Sequence, residues 1–315
     1  MHHQLSRSVR RVCTSVTALS CAAALVATCA SGAQAKKTTM TKHKTSTTTV
    51  TPSTPITRGS GYLALGDSVS FGYQEPTVVP APDYANAASF VGFPEIVASD
   101  LHLKLTNLAC PGETSASLIN SSAQSFGCET SLSPTTPAYR PTFPLHTKYS
   151  GSQLSAAVKY LKANPKTRLV TLMIGANDYF LCQATTADQC ASPTEQIGVV
   201  GAVAKNVRTI VTTLRDRAHY NGQLVLVGYY ATSPALAAAT EGLDTQIARA
   251  GHGFHTRYAN AFNSFAAASA HAGGSACTAG LLTQLTGAST PCGVHPSAAG
   301  QTLLASTVIR SVRLP

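Results

Sequence analysis

The chain of 315 residues is 44 % hydrophobic and 11 % charged, enough to bury the core of one domain of about 250 residues. Its net charge of +10 resembles that of many nucleic-acid-binding proteins. Eight of the 23 basic residues precede Gly61, whereas the other 15 follow it together with all 13 acidic residues. This distribution excludes a strongly basic face on the folded domain, and no nucleic-acid partner is predicted.

Residues 1–35 have the organisation of a secretory signal peptide. An arginine-containing start precedes an apolar, alanine-rich run at 12–26, and Ala33-Gln34-Ala35 fits a signal-peptidase site. An alternative is lipidation of Cys29, although the threonine before it fits a lipoprotein motif poorly. The sequence therefore predicts an exported protein, either extracellular or associated with the cell envelope.

Residues 36–60 consist almost wholly of Thr, Ser, Lys and Pro. Such a segment has little apolar surface to bury, so a disordered linker is predicted. Its lysines could attract it to an anionic cell envelope. A flexible leader without a role fits the composition equally well.

Strands and helices alternate from residue 61 to residue 315. The predicted strands lie at 62–65, 103–108, 169–174 and 223–229, and the predicted helices lie at 85–101, 153–163, 194–216, 243–270 and 297–311. A long polar loop is expected at 121–150. This alternation predicts an α/β domain with a parallel sheet covered on both faces, and with active loops at the carboxyl ends of the strands.

The first candidate functional residue follows the first predicted strand. There, Gly66 permits a sharp turn and Ser68 is placed at the start of a helical turn, where unpaired N–H groups would stabilise an oxyanion. Taken alone, the same residues also fit an ordinary turn in which Asp67 and Ser68 are capping residues.

Three further blocks strengthen the catalytic interpretation. Gly112 lies in a loop after the second predicted strand, Asn177 follows the third, and His295 precedes the last helix. Ser68, Gly112, Asn177 and His295, in this order, resemble the four signature blocks of the SGNH hydrolases, the GDSL esterase and lipase family. The resemblance covers about residues 61–315.

This resemblance implies a three-layer, flavodoxin-like fold and a serine mechanism. Ser68 would be the nucleophile, His295 its base, and the N–H groups of Ser68 and Gly112 with the Asn177 amide would form the oxyanion hole. The implied protein is a monomeric, secreted esterase or lipase acting on a small-molecule or lipid ester. A glycan acetyl esterase and a non-catalytic binding module on the same scaffold remain alternatives.

No metal or cofactor is predicted. The sequence contains no H-E-x-x-H motif, no Walker loop and no G-x-G-x-x-G after a strand, and it also lacks the G-x-S-x-G elbow of α/β-hydrolases. His252 and His255 could in principle bind a metal, but no third ligand lies nearby in the sequence.

Six of the nine cysteines lie in the predicted domain. Their grouping favours the sequential pairs Cys110–Cys128, Cys182–Cys190 and Cys277–Cys292, each closing a loop. Zinc ligation is disfavoured because no C-x-x-C pair is present. Disulfides agree with the predicted export.

The sequence departs from the family pattern at the catalytic acid. Family members usually have an aspartate three residues before the histidine, whereas this chain has Cys292. Either a distant carboxylate orients His295, with Asp178 and Glu113 the nearest in sequence to other site residues, or a backbone carbonyl at or beside Cys292 does so. The second solution is favoured because a Cys277–Cys292 bridge would fix that backbone, and it predicts a Ser68–His295 dyad.

Overall fold

The computed structural model describes residues 54–133, 135–287 and 291–315. The predicted signal peptide, residues 1–35, and residues 36–53 of the predicted linker lie outside the described part. Residues 54–60, however, belong to the folded domain. The side chain of Ile56 is 2 % exposed, and its N–H donates to the carbonyl of Arg313 at 3.3 Å. Ile56 thus packs with the domain, and the predicted bounds of the linker, 36–60, otherwise stay a prediction.

Five parallel strands form the central sheet, in the order β2-β1-β3-β4-β5. They are β1 Gly61–Gly66, β2 Lys104–Asn107, β3 Thr167–Met173, β4 Gln223–Val227 and β5 Thr256–Ala259. This is the strand order of flavodoxin-like sheets, and it confirms the predicted fold class. Every residue of β4 is buried, as expected for a strand covered on both faces.

The helices cover both faces of the sheet. They are α1 Ser68–Phe71, α2 Phe93–Asp100, α3 Ser115–Ile119, α4 Tyr139–Thr142, α5 Gln153–Ala163, α6 Ala176–Thr185, α7 Pro193–Thr212, α8 Ala237–Ala250, α9 Ala261–Ser269 and α10 Ala298–Ser311. One layer contains α2, α9 and α10, and the other contains α3, α5, α6, α7 and α8.

Several predicted elements need correction. The expected helix at 243–270 is interrupted by β5, a short edge strand whose residues Thr256, Arg257 and Tyr258 lack an apolar run. The expected helix at 85–101 begins only after Gly92, where Pro94 fits the first turn because its missing N–H would have no partner there. Asn177 lies in α6, a helix where a loop was expected.

A two-stranded antiparallel hairpin follows the main sheet. It consists of β6 Leu282–Gln284 and β7 Cys292–Pro296, and it carries the chain into α10. The helix α7 and the helical turn Thr213–Arg217 that follows it form one segment, Pro193–Arg217, that is long and apolar enough to cross a membrane by length and composition. Part of its apolar surface lines the cavity described below.

Candidate active site

Ser68 lies where β1 passes into α1. Gly66 has a φ of +143°, and a side chain there would meet the carbonyl oxygen of Met173 at 2.2 Å, so the turn requires glycine. Asp67 caps α1, because its Oδ1 accepts a hydrogen bond from the N–H of Val69 at 3.0 Å. Ser68 is therefore the first helical residue, and it lines a cavity at the carboxyl end of the sheet.

His295 meets this serine from the hairpin. Its Nε2 atom lies 2.9 Å from the Oγ atom of Ser68, although 227 residues separate the two in the chain. The histidine is mostly buried, with 13 % of its side chain exposed. The structure thus brings the predicted nucleophile and the predicted base within hydrogen-bond distance.

The other ring nitrogen of His295 contacts a residue that the sequence interpretation missed. Oε1 of Glu75 lies 2.7 Å from Nδ1 of His295. Because a carboxylate only accepts, we assign the proton to Nδ1, which leaves Nε2 free to accept the proton of Ser68. The expectation that a backbone carbonyl accepts from Nδ1 is therefore wrong. The predicted Ser68–His295 dyad was built on that carbonyl, and in the structure a carboxylate takes its place.

Glu75 is fixed in this position by the hairpin. One of its oxygens accepts from the N–H of Val294 at 3.1 Å, and the other accepts from the hydroxyl of Thr283 at 2.6 Å. A side chain on Gly293 would meet Oε1 at 2.0 Å, so this glycine makes room for the carboxylate. Within the Cys292–Pro296 strand, Gly293 is the sequence feature that is compatible with a carboxylate supplied by a distant part of the chain.

The environment of Glu75 keeps it ionised. Burial raises its pKa, but the hydrogen bond and charge of His295, together with the hydroxyl of Thr283, outweigh this effect and lower the pKa to about 2. The carboxylate is thus negatively charged at neutral pH. A fixed negative charge beside Nδ1 favours a protonated ring of His295.

The two carboxylates considered from the sequence lie elsewhere. Asp178 accepts hydrogen bonds from the N–H and the hydroxyl of Ser115, at 2.8 and 2.6 Å. Glu113 is fully buried and accepts from the Ser117 hydroxyl and from the Gln153 amide. Neither carboxylate is the partner of His295.

Asp67 links the turn that carries Ser68 to the segment after β4. Its second carboxylate oxygen accepts a hydrogen bond from the hydroxyl of Tyr229, at the end of β4. Burial raises the pKa of Asp67 to about 6, although the Tyr229 hydroxyl and the N–H of Val69 oppose this rise. The two contacts fix the turn that carries Ser68.

Of the predicted oxyanion residues, Ser68 and Asn177 line the cavity, whereas Gly112 is not among its lining residues. Asn177 lines the cavity with Ser68, and its Nδ2 donates to the carbonyl of Glu113 at 3.0 Å, which leaves one amide hydrogen for a ligand. The loop containing Gly112 is joined to the nucleophile turn, because the N–H of Cys110 donates to the carbonyl of Gly66 at 3.1 Å. Within the described ranges, no acceptor contacts the N–H of Ser68 or of Gly112.

Gly112 has a backbone reason to be glycine. Its φ is +80°, and a side chain there would meet the Cα atom of Gly127 at 2.6 Å. The disulfide Cys110–Cys128 holds these two backbone segments together. The close approach that requires glycine here is therefore to Gly127.

The three predicted disulfides are confirmed. They are Cys110–Cys128, Cys182–Cys190 and Cys277–Cys292. The first lies beside Gly112, the second joins α6 to the segment before α7, and the third anchors the start of β7, three residues before His295.

Two groups of possible metal-binding atoms occur among the described residues. One contains Glu113 with the cysteines at 110 and 128, and the other contains Glu195 with those at 182 and 190. In both groups the cysteines are bonded to each other. A disulfide offers no thiolate to a metal, so neither group is a metal site.

A cavity of about 630 Å³ opens beside Ser68 and His295. Residues from the start of α6, the first half of α7, the end of β4 and the helix α8 line it. Its volume is within the usual range of about 300–1,000 Å³ for small-molecule sites. The arrangement therefore combines a serine within hydrogen-bond distance of a histidine, a carboxylate on the other side of that ring, and an adjoining cavity.

Comparisons with known proteins concern the family and the fold of this chain. The model of the GDSL-like Lipase/Acylhydrolase family matches residues 64–303. No curated protein matches the chain. A solved structure of a protein described as a GDSL-like lipase, from Parabacteroides merdae, is similar with a TM-score of 0.51 and 15 % identity, covering 82 % of this chain and 98 % of that one.

Two further solved structures are similar. A mutant of an acetylxylan esterase from Geobacillus stearothermophilus has a TM-score of 0.50 and 13 % identity, covering 83 % of this chain and 98 % of that one. A phospholipase A1 from Streptomyces albidoflavus has a TM-score of 0.48 and 18 % identity, covering 81 % of this chain and 100 % of that one. At such identities the likeness concerns the fold alone.

Proposed function

The chain belongs to the GDSL-like Lipase/Acylhydrolase family and is a carboxylic ester hydrolase, and we propose that it is a secreted enzyme working through a Ser68–His295–Glu75 triad. The observation that carries this proposal is the continuous row of contacts from Ser68 Oγ to His295 Nε2 and from His295 Nδ1 to Glu75 Oε1. Each contact has the length of a good hydrogen bond.

The proposed reaction has two steps. In the first, Nε2 of His295 takes the proton of Ser68 while Oγ attacks the ester carbonyl carbon. The tetrahedral intermediate then collapses, the bond to the alcohol breaks, and His295 returns its proton to the departing alcohol. In the second step, water loses a proton to His295 and attacks the acyl-enzyme, which releases the carboxylic acid and restores Ser68.

The developing oxyanion requires donors on the opposite side of the carbonyl. The N–H groups of Ser68 and Gly112 and the remaining amide hydrogen of Asn177 supply three of them. Removing a single donor of this kind typically costs about 10²–10³-fold in kcat. Glu75 contributes by keeping the ring of His295 in the required tautomer and by stabilising the imidazolium.

Export is part of the same proposal. Three disulfides form and persist in oxidising compartments such as the cell exterior or a periplasm. The signal-peptide pattern of residues 1–35 agrees with them.

The experiment is hydrolysis of p-nitrophenyl butyrate by the purified exported protein, with and without a chelator. Ser68→Ala should abolish release of p-nitrophenol, with a loss of about 10⁵-fold or more, because the nucleophile and the base act as a unit. A serine-directed phosphonate should label Ser68. Ser70→Ala is the matched control, because Ser70 lies in the same helix and the one hydrogen bond of its hydroxyl among the described residues is to the carbonyl of Leu65 at 3.4 Å. Activity that persists in Ser68→Ala, or that a chelator removes, would contradict the proposal.

A further inference from the structure

Two consecutive tyrosines, Tyr229 and Tyr230, lie shortly after the end of β4 and line the cavity beside Ser68. They are 6 % and 5 % exposed, so each hydroxyl needs a partner within the protein. The two hydroxyls donate to two different segments of the candidate site. This tyrosine pair therefore connects one end of the central sheet to both segments.

Tyr229 holds the segment that carries the nucleophile. Its hydroxyl donates to Oδ2 of Asp67. Oδ1 of Asp67 accepts from the N–H of Val69, so this carboxylate contacts both sides of the turn at Ser68. The backbone of Tyr229 is itself fixed, because its N–H donates to Oδ1 of Asp244 in α8 at 2.8 Å. The position of Ser68 thus depends on the end of β4 as well as on β1.

Tyr230 holds the segment that carries the base. Its hydroxyl donates to the carbonyl of Val294 at 2.8 Å, and Val294 directly precedes His295 in the hairpin. The N–H of the same residue donates to Oε1 of Glu75 at 3.1 Å. The ring of Tyr230 stacks on Phe265 of α9, with the ring centroids 4.3 Å apart and 17° between the ring planes. The hydroxyl that holds the hairpin thus belongs to a ring packed against a helix.

We propose that the tyrosine pair positions the nucleophile against the base and so sets the distance between Ser68 and His295. These two side chains come from separate elements, α1 and the hairpin, and their hydrogen bond is 2.9 Å long. A misplacement of catalytic groups by about 1 Å can cost about 100-fold in rate. Two adjacent residues that bond to both elements oppose such a misplacement. The inference rests on the proposed triad and adds two positioning residues to it.

Removal of one hydroxyl at a time tests the pair with little change in side-chain volume. Tyr229→Phe and Tyr230→Phe each keep the ring and delete one hydrogen bond. Each variant should lower kcat for p-nitrophenyl butyrate by about 10–100-fold, the effect expected of a small displacement of a catalytic group. KM should change little, because both hydroxyls are bonded to protein groups and not to the substrate.

Tyr220→Phe is the matched control. Tyr220 is also 6 % exposed, and its hydroxyl donates to a backbone carbonyl, that of Gln223, at 2.9 Å. Gln223 begins β4, so this contact lies at the end of the strand opposite the tyrosine pair. Tyr220→Phe and Tyr230→Phe should lower the melting temperature by similar amounts, because each removes one buried hydroxyl-to-carbonyl hydrogen bond. Tyr220→Phe should keep the wild-type kcat.

A double-mutant cycle distinguishes positioning from a general loss of stability. In a protein that already carries Glu75→Gln, the ring of His295 is no longer correctly oriented. Tyr230→Phe should then cost less than about threefold in kcat, because residues that act on one catalytic contact are not additive. Losses that multiply in full would show that Tyr230 does not act through His295, and would overturn its positioning role.

The other outcomes separate the inference from the proposed function. A wild-type kcat in Tyr229→Phe or in Tyr230→Phe, or an equal loss of kcat in Tyr220→Phe, overturns the paired role. A raised KM with an unchanged kcat would assign the hydroxyls to substrate binding and also overturns it. In each of these cases the esterase proposal stands, provided that Ser68→Ala abolishes the activity. Absence of hydrolysis by the wild type overturns both.

Discussion

Glu75 and His295 are in contact at 2.7 Å across 220 residues of sequence. The position three residues before His295, where family members usually carry the acid, holds Cys292, which is bonded to Cys277. The carboxylate instead comes from the segment that follows α1, the helix that begins with Ser68. The nucleophile and the proposed acid are therefore seven positions apart, and only the base comes from the hairpin.

The first prediction concerns this carboxylate. Glu75→Gln should keep the shape of the side chain but remove the charge, and its amide can present a donor to Nδ1, which favours the wrong tautomer of His295. We expect kcat to fall about 10³–10⁴-fold, as when an acid of this type is replaced by its amide. Steady-state hydrolysis of p-nitrophenyl butyrate measures the loss.

Asp83→Asn is the control for this change. Asp83 is exposed, lies in the segment that follows Glu75, and its Oδ1 accepts from the N–H of Ala85. The Asp83→Asn substitution removes one negative charge from the same region as Glu75→Gln does, and it should leave kcat near the wild-type value. A folded Glu75→Gln protein that lost less than about a hundredfold would show that a backbone acceptor suffices.

The second prediction tests the space that Gly293 leaves. In Gly293→Ala, the new methyl group would meet Oε1 of Glu75 at 2.0 Å, so the carboxylate must move away from Nδ1. We expect a fall in kcat of the same kind as in Glu75→Gln. Because both changes act on one contact, the double variant should lose little more than Glu75→Gln alone, a non-additivity that a double-mutant cycle measures. Losses that multiply would show that Gly293 acts through another part of the site.

The order of blocks in the sequence was sufficient to place Ser68 and His295. Ser68 follows a recognisable strand and His295 precedes a recognisable helix. Because the carboxyl ends of parallel strands meet at one edge of a sheet, these local patterns predict that the two residues lie near each other. The sequential disulfides were accessible for a similar reason, since each closes a short local loop. These features depend on neighbours along the chain.

Glu75 and β5 were not accessible in the same way. Glu75 lies in no predicted strand or helix. Its carboxylate is held beside His295 by hydrogen bonds from two residues that are distant in the sequence, Thr283 and Val294. The strand β5 has polar residues at an edge, where pairing with β4 outweighs a weak local pattern. Contacts between distant segments decide both features, and a single sequence does not display them.

The third prediction concerns the Cys277–Cys292 bridge. Replacing both cysteines by alanine should free the start of β7, and with it the orientation of His295 three residues later. We expect kcat to fall by about 10–100-fold, since small misplacements of catalytic groups have effects of this size. The free energy of unfolding should fall by about 2–4 kcal/mol. Activity below the melting temperature and thermal unfolding measure the two effects separately.

The matched control is the double alanine variant of Cys182 and Cys190. This bridge closes a loop of similar kind, with a sequence separation of 8 against 15, but it does not adjoin the hairpin. Its removal should lower stability and leave kcat largely intact. Equal kcat in both variants would contradict a positioning role for the Cys277–Cys292 bridge.

The fourth prediction concerns Glu113, the buried residue that directly follows Gly112. Burial, and then the negative charge of Glu129, raise its pKa to about 8, against the hydrogen bonds from Ser117 and Gln153. The folded protein therefore keeps this carboxyl protonated at neutral pH. An unfolded chain would release the proton above its ordinary pKa of 4.5.

This difference makes stability depend on pH. Between about pH 4.5 and pH 8 the folded state holds one more proton at Glu113 than the unfolded state, so the free energy of unfolding falls as the pH rises, by up to about 1.4 kcal/mol per pH unit. The contribution is fully present below pH 4.5 and is lost by the time the pH passes 8. Asp67, Asp178 and Asp244 also have raised pKa values. They therefore also make the free energy of unfolding of the wild type fall as the pH rises.

Glu113→Gln isolates the effect of Glu113. The amide stays neutral at every pH. Its oxygen can accept from the Gln153 amide, and its nitrogen can donate to the Ser117 hydroxyl, so both contacts are kept with the second hydrogen bond reversed. We expect the difference in melting temperature between this variant and the wild type to be small at pH 5 and to grow in favour of the variant up to pH 8. Glu241→Gln, a change at an exposed glutamate, should show a constant difference over the same range. A Glu113→Gln difference that is equally constant would mean that Glu113 is ionised in the folded protein at neutral pH, with Gln153 and Ser117 stabilising its charge.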